Sequence, residues 1–181
     1  MYDREPVLLS RDVEAVMIPH GHAVTLPKGT EVNVAQALGG SFTIYVAGNL
    51  ARIAGKDADA LGRELAALPE LPADATDADV EVLVWSQLRT CFDPEIPINI
   101  VDLGLVYGCA LDRLADGSRR IEVRLTLTAP GCGMGGVLAQ DVKEKLELIP
   151  GVGAAAVELV FDPPWNQSMM SDAAKLQTGM F

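Results

Sequence analysis

Between Leu125 and Gly136 the chain has to stop being a strand and start being a helix. The segment Leu125-Thr126-Leu127-Thr128-Ala129-Pro130-Gly131-Cys132-Gly133-Met134-Gly135-Gly136 alternates apolar and hydroxyl side chains, breaks at Pro-Gly, then carries one cysteine among glycines. Period-two alternation reads as a strand. Beyond the break, Leu138, Val142, Leu146 and Ile149 recur at helical spacing. Cys132 therefore stands where a helix begins. Unpaired N–H groups and the positive end of the helix dipole favour the thiolate there, the form in which cysteine is both nucleophile and metal ligand.

The pattern around that segment sets the fold class. Thr76-Asp77-Ala78-Asp79 resembles a capping box, and Val80, Val84, Leu88 and Cys91 follow on one helix face that ends before Pro94. Leu103 to Leu111 and Ile121 to Leu127 read as a hairpin around Ala115-Asp116-Gly117-Ser118. The second helix stops at Pro150-Gly151, Val152 to Phe161 is a third strand, and Ser171 caps a short helix over Asp172 to Gln177. The order α-β-β-α-β-α predicts an α+β domain with a small mixed sheet over residues 76–181.

Residues 1–54 read as a separate antiparallel β module of three or four strands. Leu26-Pro27-Lys28-Gly29 is expected as a type I turn, and Gly39-Gly40 separates two strands as a hairpin. Residues 55–75, rich in Ala, Asp, Leu and Pro, are expected to form a short helix near 57–67 and a linker.

Composition narrows the function classes. A formal net charge of −11 disfavours nucleic acid and anionic membrane as partners. No apolar run reaches the roughly 18 residues of a membrane span. The acidic start Met1-Tyr2-Asp3-Arg4-Glu5 lacks an apolar signal core, so the expected compartment is the cytoplasm. Three cysteines, an odd number, argue against a disulfide framework.

Other motifs carry weaker signals. Gly131 to Gly136 matches G-x-G-x-x-G between a strand and a helix, with Asp162 after the next strand, so a dinucleotide fold competes. Against it, the chain ends soon after Asp162. Asp93-Pro94-Glu95-Ile96-Pro97 sets two carboxylates two residues apart. They serve either as acid, base or metal ligand, or as acceptors for local N–H groups. Asn99 and Asp102 are of the type that caps or braces a loop, here the one leading into the first strand of the hairpin; the segment alone carries no chemistry. Cys109 lies in phase with Leu105, Tyr107 and Leu111 and is expected as a small core residue; Cys91, at the end of a helix face next to Asp93, either packs in the core, the favoured reading, or serves as a ligand. His20 and His22 are the only histidines; they either share a metal or stand exposed in a turn. With no C-x-x-C, a self-contained cluster or zinc site in one chain is not expected. Asp162-Pro163-Pro164-Trp165-Asn166-Gln167-Ser168-Met169-Met170 reads either as a clasp over the core edge or as an aromatic and methionine wall for a partner.

Taken in order, Asp93-Pro94-Glu95-Ile96-Pro97, Asn99 to Tyr107, Leu125 to Cys132 and Asp162-Pro163-Pro164-Trp165 resemble the signature segments of the metal–sulfur cluster biosynthesis family. Ala37-Leu38-Gly39-Gly40-Ser41 and Asp57 to Gly62 in the N-terminal module look like the extension of its SufT branch. The resemblance implies a non-enzymatic factor in iron–sulfur protein maturation, carrying a labile iron–sulfur cluster or helping to deliver one. It maps the family's reactive cysteine onto Cys132, its threonine onto Thr128 and its acidic loop onto Asp93 and Glu95. Gly133 stands where many relatives have proline. The implied partners are an assembly scaffold and apo-protein clients. One thiolate cannot hold a cluster alone, so a homodimer contributing two Cys132 ligands, completed by small thiols or a client, is expected. Two other functions compete: a cluster-free adaptor docking clients on its Pro-Pro-Trp-Met segment, and an enzyme with Cys132 as nucleophile and Asp93 or Glu95 as base.

Overall fold

The computed structural model describes residues 6–18, 20–38, 40–65, 67–93, 96–129 and 135–179. Cys132 and Glu95 lie outside the described residues. The chain divides into two compact units, 1–67 and 68–181, each with its own core.

The first unit is one antiparallel sheet of six strands: β1 (Pro6–Leu8), β2 (Val13–Ile18), β3 (Ala23–Leu26), β4 (Glu31–Leu38), β5 (Ser41–Val46) and β6 (Asn49–Ile53), in the order β1-β4-β5-β6-β2-β3. Strict alternation buries Phe42, Ile44 and Val46 of β5 against Val13, Ala15, Val32, Ala51 and Ile53. The expected three or four strands are six because β5 and β6 are joined by a two-residue turn, Ala47-Gly48. Both residues have positive φ, +48° and +79°, the geometry that matches strand twist in a tight hairpin. The turn after β3 also differs from expectation. Thr30 N–H donates to Pro27 O at 3.1 Å, so the turn begins one residue later than Leu26. Gly29, with φ +83°, takes its third position, as a type II turn requires.

The helix expected near 57–67 is a 3-10 helix over Gly55–Leu61, ended by Gly62 at φ +68°. It belongs to the first core, burying Ala58, Ala60 and Leu61. Arg11 holds it to the sheet with a two-pronged contact on Asp59, at 2.8 and 2.7 Å, and a 2.9 Å bond to Asp57. Those carboxylates hold the guanidinium proton more tightly than usual, and Arg11 in turn lowers the Asp59 pKa.

The second unit has the predicted element order: α1 (Asp77–Leu88), β7 (Val106–Arg113), β8 (Arg119–Leu125), α2 (Gly135–Glu147), β9 (Val152–Leu159) and α3 (Asp172–Thr178). The sheet order is β7-β8-β9, antiparallel between β7 and β8 and parallel between β8 and β9. The capping box is present. Thr76 Oγ1 accepts from Asp79 N–H, and an Asp79 carboxylate oxygen accepts from Thr76 N–H at 2.8 Å. Val80, Val84 and Leu88 of α1 and Leu138, Val142 and Leu146 of α2 pack with Ile121, Val123 and Leu125 of β8, the central strand. No helix among the described residues is long and apolar enough to cross a membrane.

Candidate functional site

The ends of the Cys132 connection are fixed by packing. β8 ends at Leu125, and Leu127, just beyond it, is buried. On the far side α2 opens with Gly135, where a Cβ would stand 2.8 Å from Leu127 Cδ1 and 3.1 Å from Leu159 Cδ1. Only glycine lets the first turn of α2 lie this close to the strand ends.

Two threonines lead into that segment. Thr128, the residue carried over from the family resemblance, is half-buried. Thr126 is more deeply placed. Its N–H donates to Leu105 O at 2.8 Å, its side chain is buried, and its Oγ1 has no hydrogen-bond partner among the described residues. The alternation of β8, buried at 119, 121, 123 and 125, puts 126 in the exposed phase. Its burial breaks that alternation, and sequence reasoning passed over it because a threonine in exposed phase carries no signal.

The acidic loop is built from Asp93. This carboxylate is buried, Oδ1 accepts Ile96 N–H at 3.0 Å, and the Asp93 N–H donates to Ile98 O at 3.3 Å. One role of Asp93 is thus to close its own loop. The loop's base is tied to α2, because Lys145 Nζ donates to Thr90 O at 2.6 Å while pairing with Asp141 at 3.4 Å. Thr90 lies two residues past α1, so Lys145 also sets a cation near the C-terminal end of that helix, where the dipole favours it. Asn99 and Asp102 brace each other, Asn99 Nδ2 to Asp102 Oδ2 at 2.6 Å and Asp102 N–H to Asn99 Oδ1 at 2.9 Å.

The C-terminal run is a clasp. Trp165 Nε1 donates to Leu103 O at 2.7 Å, Tyr107 Oη to Pro163 O at 2.7 Å, and Ser171 N–H to Asp102 O at 2.8 Å. Met170 is buried in the core. Gly104, at φ +75°, lets the clasp close: a Cβ there would lie 2.3 Å from Met169 O. The peptide Asp162-Pro163 is cis.

The remaining candidates are separated from this end of the sheet by chemistry or by chain. Cys91 is fully buried, its thiol donating to Gln87 O at 3.6 Å. Cys109 is half-buried; burial, then the nearby Glu81 charge, pushes its thiol pKa above the ordinary value. His20 and His22 are exposed in the first unit with rings stacked at 5.6 Å. Among the described residues no group of three or more His, Cys, Asp or Glu is placed to hold a metal ion. β8 and β9 are parallel with α2 between them in sequence, but among the described residues the sheet has no further parallel strand to extend a dinucleotide fold.

Fold and site together define a small α+β domain in which the Asp93 loop, the buried Thr126 and a clasped C-terminal run are held on one three-stranded sheet. A family model described as iron–sulfur cluster assembly protein matches residues 81–159. A Porphyromonas gingivalis Fe-S protein maturation auxiliary factor is 46% identical over 92 residues, 51% of this chain and 84% of that protein. The Staphylococcus aureus Fe-S protein maturation auxiliary factor SufT is 41% identical over 88 residues, 49% of this chain and 96% of that protein. A crystal structure of a domain of unknown function, DUF59, from Bacillus anthracis is 32% identical, with a TM-score of 0.49 over 57% of this chain and 95% of that one. The chain belongs to the iron–sulfur cluster assembly protein family. The family match falls wholly within the second unit.

Proposed function

We propose that this protein is an iron–sulfur protein maturation factor, without catalytic turnover, whose Cys132 thiolate binds a labile cluster as cargo for apo-protein clients. The relatives named above carry the maturation role in their names. The observation that carries the cysteine assignment is the state of the other two thiols. Cys91 is sealed in the core and Cys109 is held protonated by burial, which leaves Cys132 as the thiolate donor of the chain. One cysteine fits a cargo site rather than a resident one, because a cluster held by a single protein thiolate keeps exchangeable ligands. The other ligands come from small thiols, an assembly scaffold or the client. Thr128, Asp93 and Glu95 flank the cargo in this reading, Asp93 by shaping its loop.

Two observations weigh against the competing functions. For the enzyme reading, the second unit contains no histidine, and Asp93, one of the two candidate bases, is buried and accepts the Ile96 N–H. For the adaptor reading, Trp165 and Met170 are engaged in the clasp and the core, which leaves Pro163 and Pro164 as the exposed part of its Pro-Pro-Trp-Met segment.

Anaerobic reconstitution with iron and sulfide tests the proposal on wild type and Cys132→Ser. Retention of visible absorption and iron after desalting in wild type, and its loss in the variant, is expected. Equal retention in both, or none in either, would falsify the cysteine assignment.

A further inference from the structure

The three-stranded sheet leaves β9 at its edge. An edge strand offers unpaired backbone groups, and natural proteins blunt it with proline, lysine, a bulge or a covering element. β9, Val152-Gly153-Ala154-Ala155-Ala156-Val157-Glu158-Leu159, has no proline and no lysine; its one irregularity is at Gly153, and from Ala154 to Leu159 its register with β8 is unbroken. Val160 N–H donates to Leu125 O. By strand alternation Ala154, Ala156 and Glu158 also turn their N–H and C=O groups toward β8, while Ala155, Val157 and Leu159 turn theirs away. Those outward groups have no backbone partner among the described residues. The other edge is protected. β7 is bulged between Val106 and Gly108 and ends in Asp112-Arg113, with Arg113 tied to Asp77 at 2.9 Å.

Two of the exposed large hydrophobic residues flank β9. Leu148 precedes it at the end of α2 and Phe161 follows it; both are nearly half exposed. A single extended peptide would meet these only as separate caps. A second copy of the chain meets them reciprocally.

We propose that β9 pairs antiparallel with β9 of a second copy, about a two-fold axis at Ala156, joining two three-stranded sheets into one. In that register Ala155 lies opposite the other copy's Val157, and each pair exchanges both backbone hydrogen bonds. Ala156 meets Ala156 on the face away from the helices, where a small side chain lets the strands approach. Glu158 falls opposite the other copy's Ala154. Ala154 is registered with Arg120 of β8, so Glu158 reaches a cation across a methyl group. Shifting the axis by one residue toward Val157 would instead put Glu158 in the row of Ala156 and Glu122, a like charge. The interface is isologous: the same patch serves both copies.

The geometry separates the openings of the two α2 helices. Gly135, where the Cys132 segment ends, lies against Leu159. In the paired sheet the two Leu159 positions are six residues apart along the strands, about 20 Å at 3.3 Å per residue. Such a dimer sets the two Gly135 positions, where the α2 helices open, far apart rather than at one shared place. The interface does not depend on the cargo reading, and its test reads mass rather than iron.

Sedimentation of the full chain is expected to show a dimer in wild type. Ala156→Lys places two lysines across the axis, and Glu158→Lys opposes Arg120; both positions face away from the core, and both variants should halve the mass. Adding Arg120→Glu to Glu158→Lys should restore the dimer. Circular dichroism checks that each variant is folded. In a Cys132→Ser background, Ala156→Cys should form a disulfide-linked dimer on mild oxidation, since non-hydrogen-bonded antiparallel pairs bring Cα atoms to about 4.5 Å. A monomeric wild type overturns the proposal, as does a dimer that both lysine variants leave intact.

Discussion

Trp165 donates its indole N–H to the main-chain oxygen of Leu103 at 2.7 Å, across 62 positions of sequence. Leu103 is fully buried, so this carbonyl has no water to fall back on. Trp165→Phe keeps an aromatic ring in the clasp and leaves the acceptor bare. Stability should fall by about 1–3 kcal/mol, the cost of an unsatisfied buried group, read as a lower urea midpoint with an unchanged slope. A variant as stable as wild type would show that the clasp is held by its apolar contacts alone.

Thr126 presents the opposite case. Its hydroxyl is buried without a partner among the described residues, so the folded chain bears a desolvation cost there. Thr126→Val has the same branched shape and removes the oxygen. Without cargo it should be more stable than wild type by about 1 kcal/mol or slightly more, measured by urea unfolding under metal-free conditions. A destabilised variant would mean that the hydroxyl is satisfied after all, from the segment 130–134 that it precedes.

Asp77 gives a pH signature. Hydrogen bonds from Arg119, then Arg113, lower its carboxyl pKa below the ordinary value. A carboxylate whose folded pKa is depressed contributes stability that is fully present above its unfolded pKa, about 3.9. That contribution is lost as pH falls through the lower folded value. The thermal midpoint of wild type should therefore exceed that of Asp77→Asn by a constant margin from neutral pH down to mildly acidic. The margin should then shrink below about pH 4. A margin that persists unchanged in acid would assign the role of Asp77 to its position in the first turn of α1 rather than to its charge.

The sequence and the structure agree where local chemistry is strong. The capping box at Thr76 and Asp79, the α1 stripe Val80, Val84 and Leu88, and the Asp116-Gly117 turn each state their element within a few residues. Where they part, a longer-range term decided. Ala47-Gly48 is a poor written signal for a tight hairpin, because alanine rarely takes positive φ; pairing of β5 with β6 on both flanks holds it there. The alanine-rich run after Gly55 has helical composition, yet it forms a 3-10 turn set by Arg11 and by packing of Ala58, Ala60 and Leu61 under the sheet. At the site, Asp93 was legible as a loop former, but the burial of Thr126 and the donor role of Trp165 depend on contacts with Leu105 and Leu103. No local pattern announces those.

The three cysteines should differ sharply in reactivity, and the order follows from burial. A thiol reacts as its thiolate, so rate follows pKa and access together. Cys91 is sealed, and its thiol is directed at Gln87 O. Cys109 is half-buried on β7 and held protonated by burial and by Glu81. Cys132 is the thiol to which the proposed function assigns the thiolate. Under native conditions at neutral pH a thiol-specific reagent should label one site per chain quickly, mapped by mass spectrometry to Cys132. Cys109 should follow slowly and Cys91 only on unfolding. In Cys132→Ser the fast phase should vanish while the slow phases stay. If Cys109 instead labels first, the assignment of Cys132 as the chain's thiolate donor, and with it the cargo reading, does not stand.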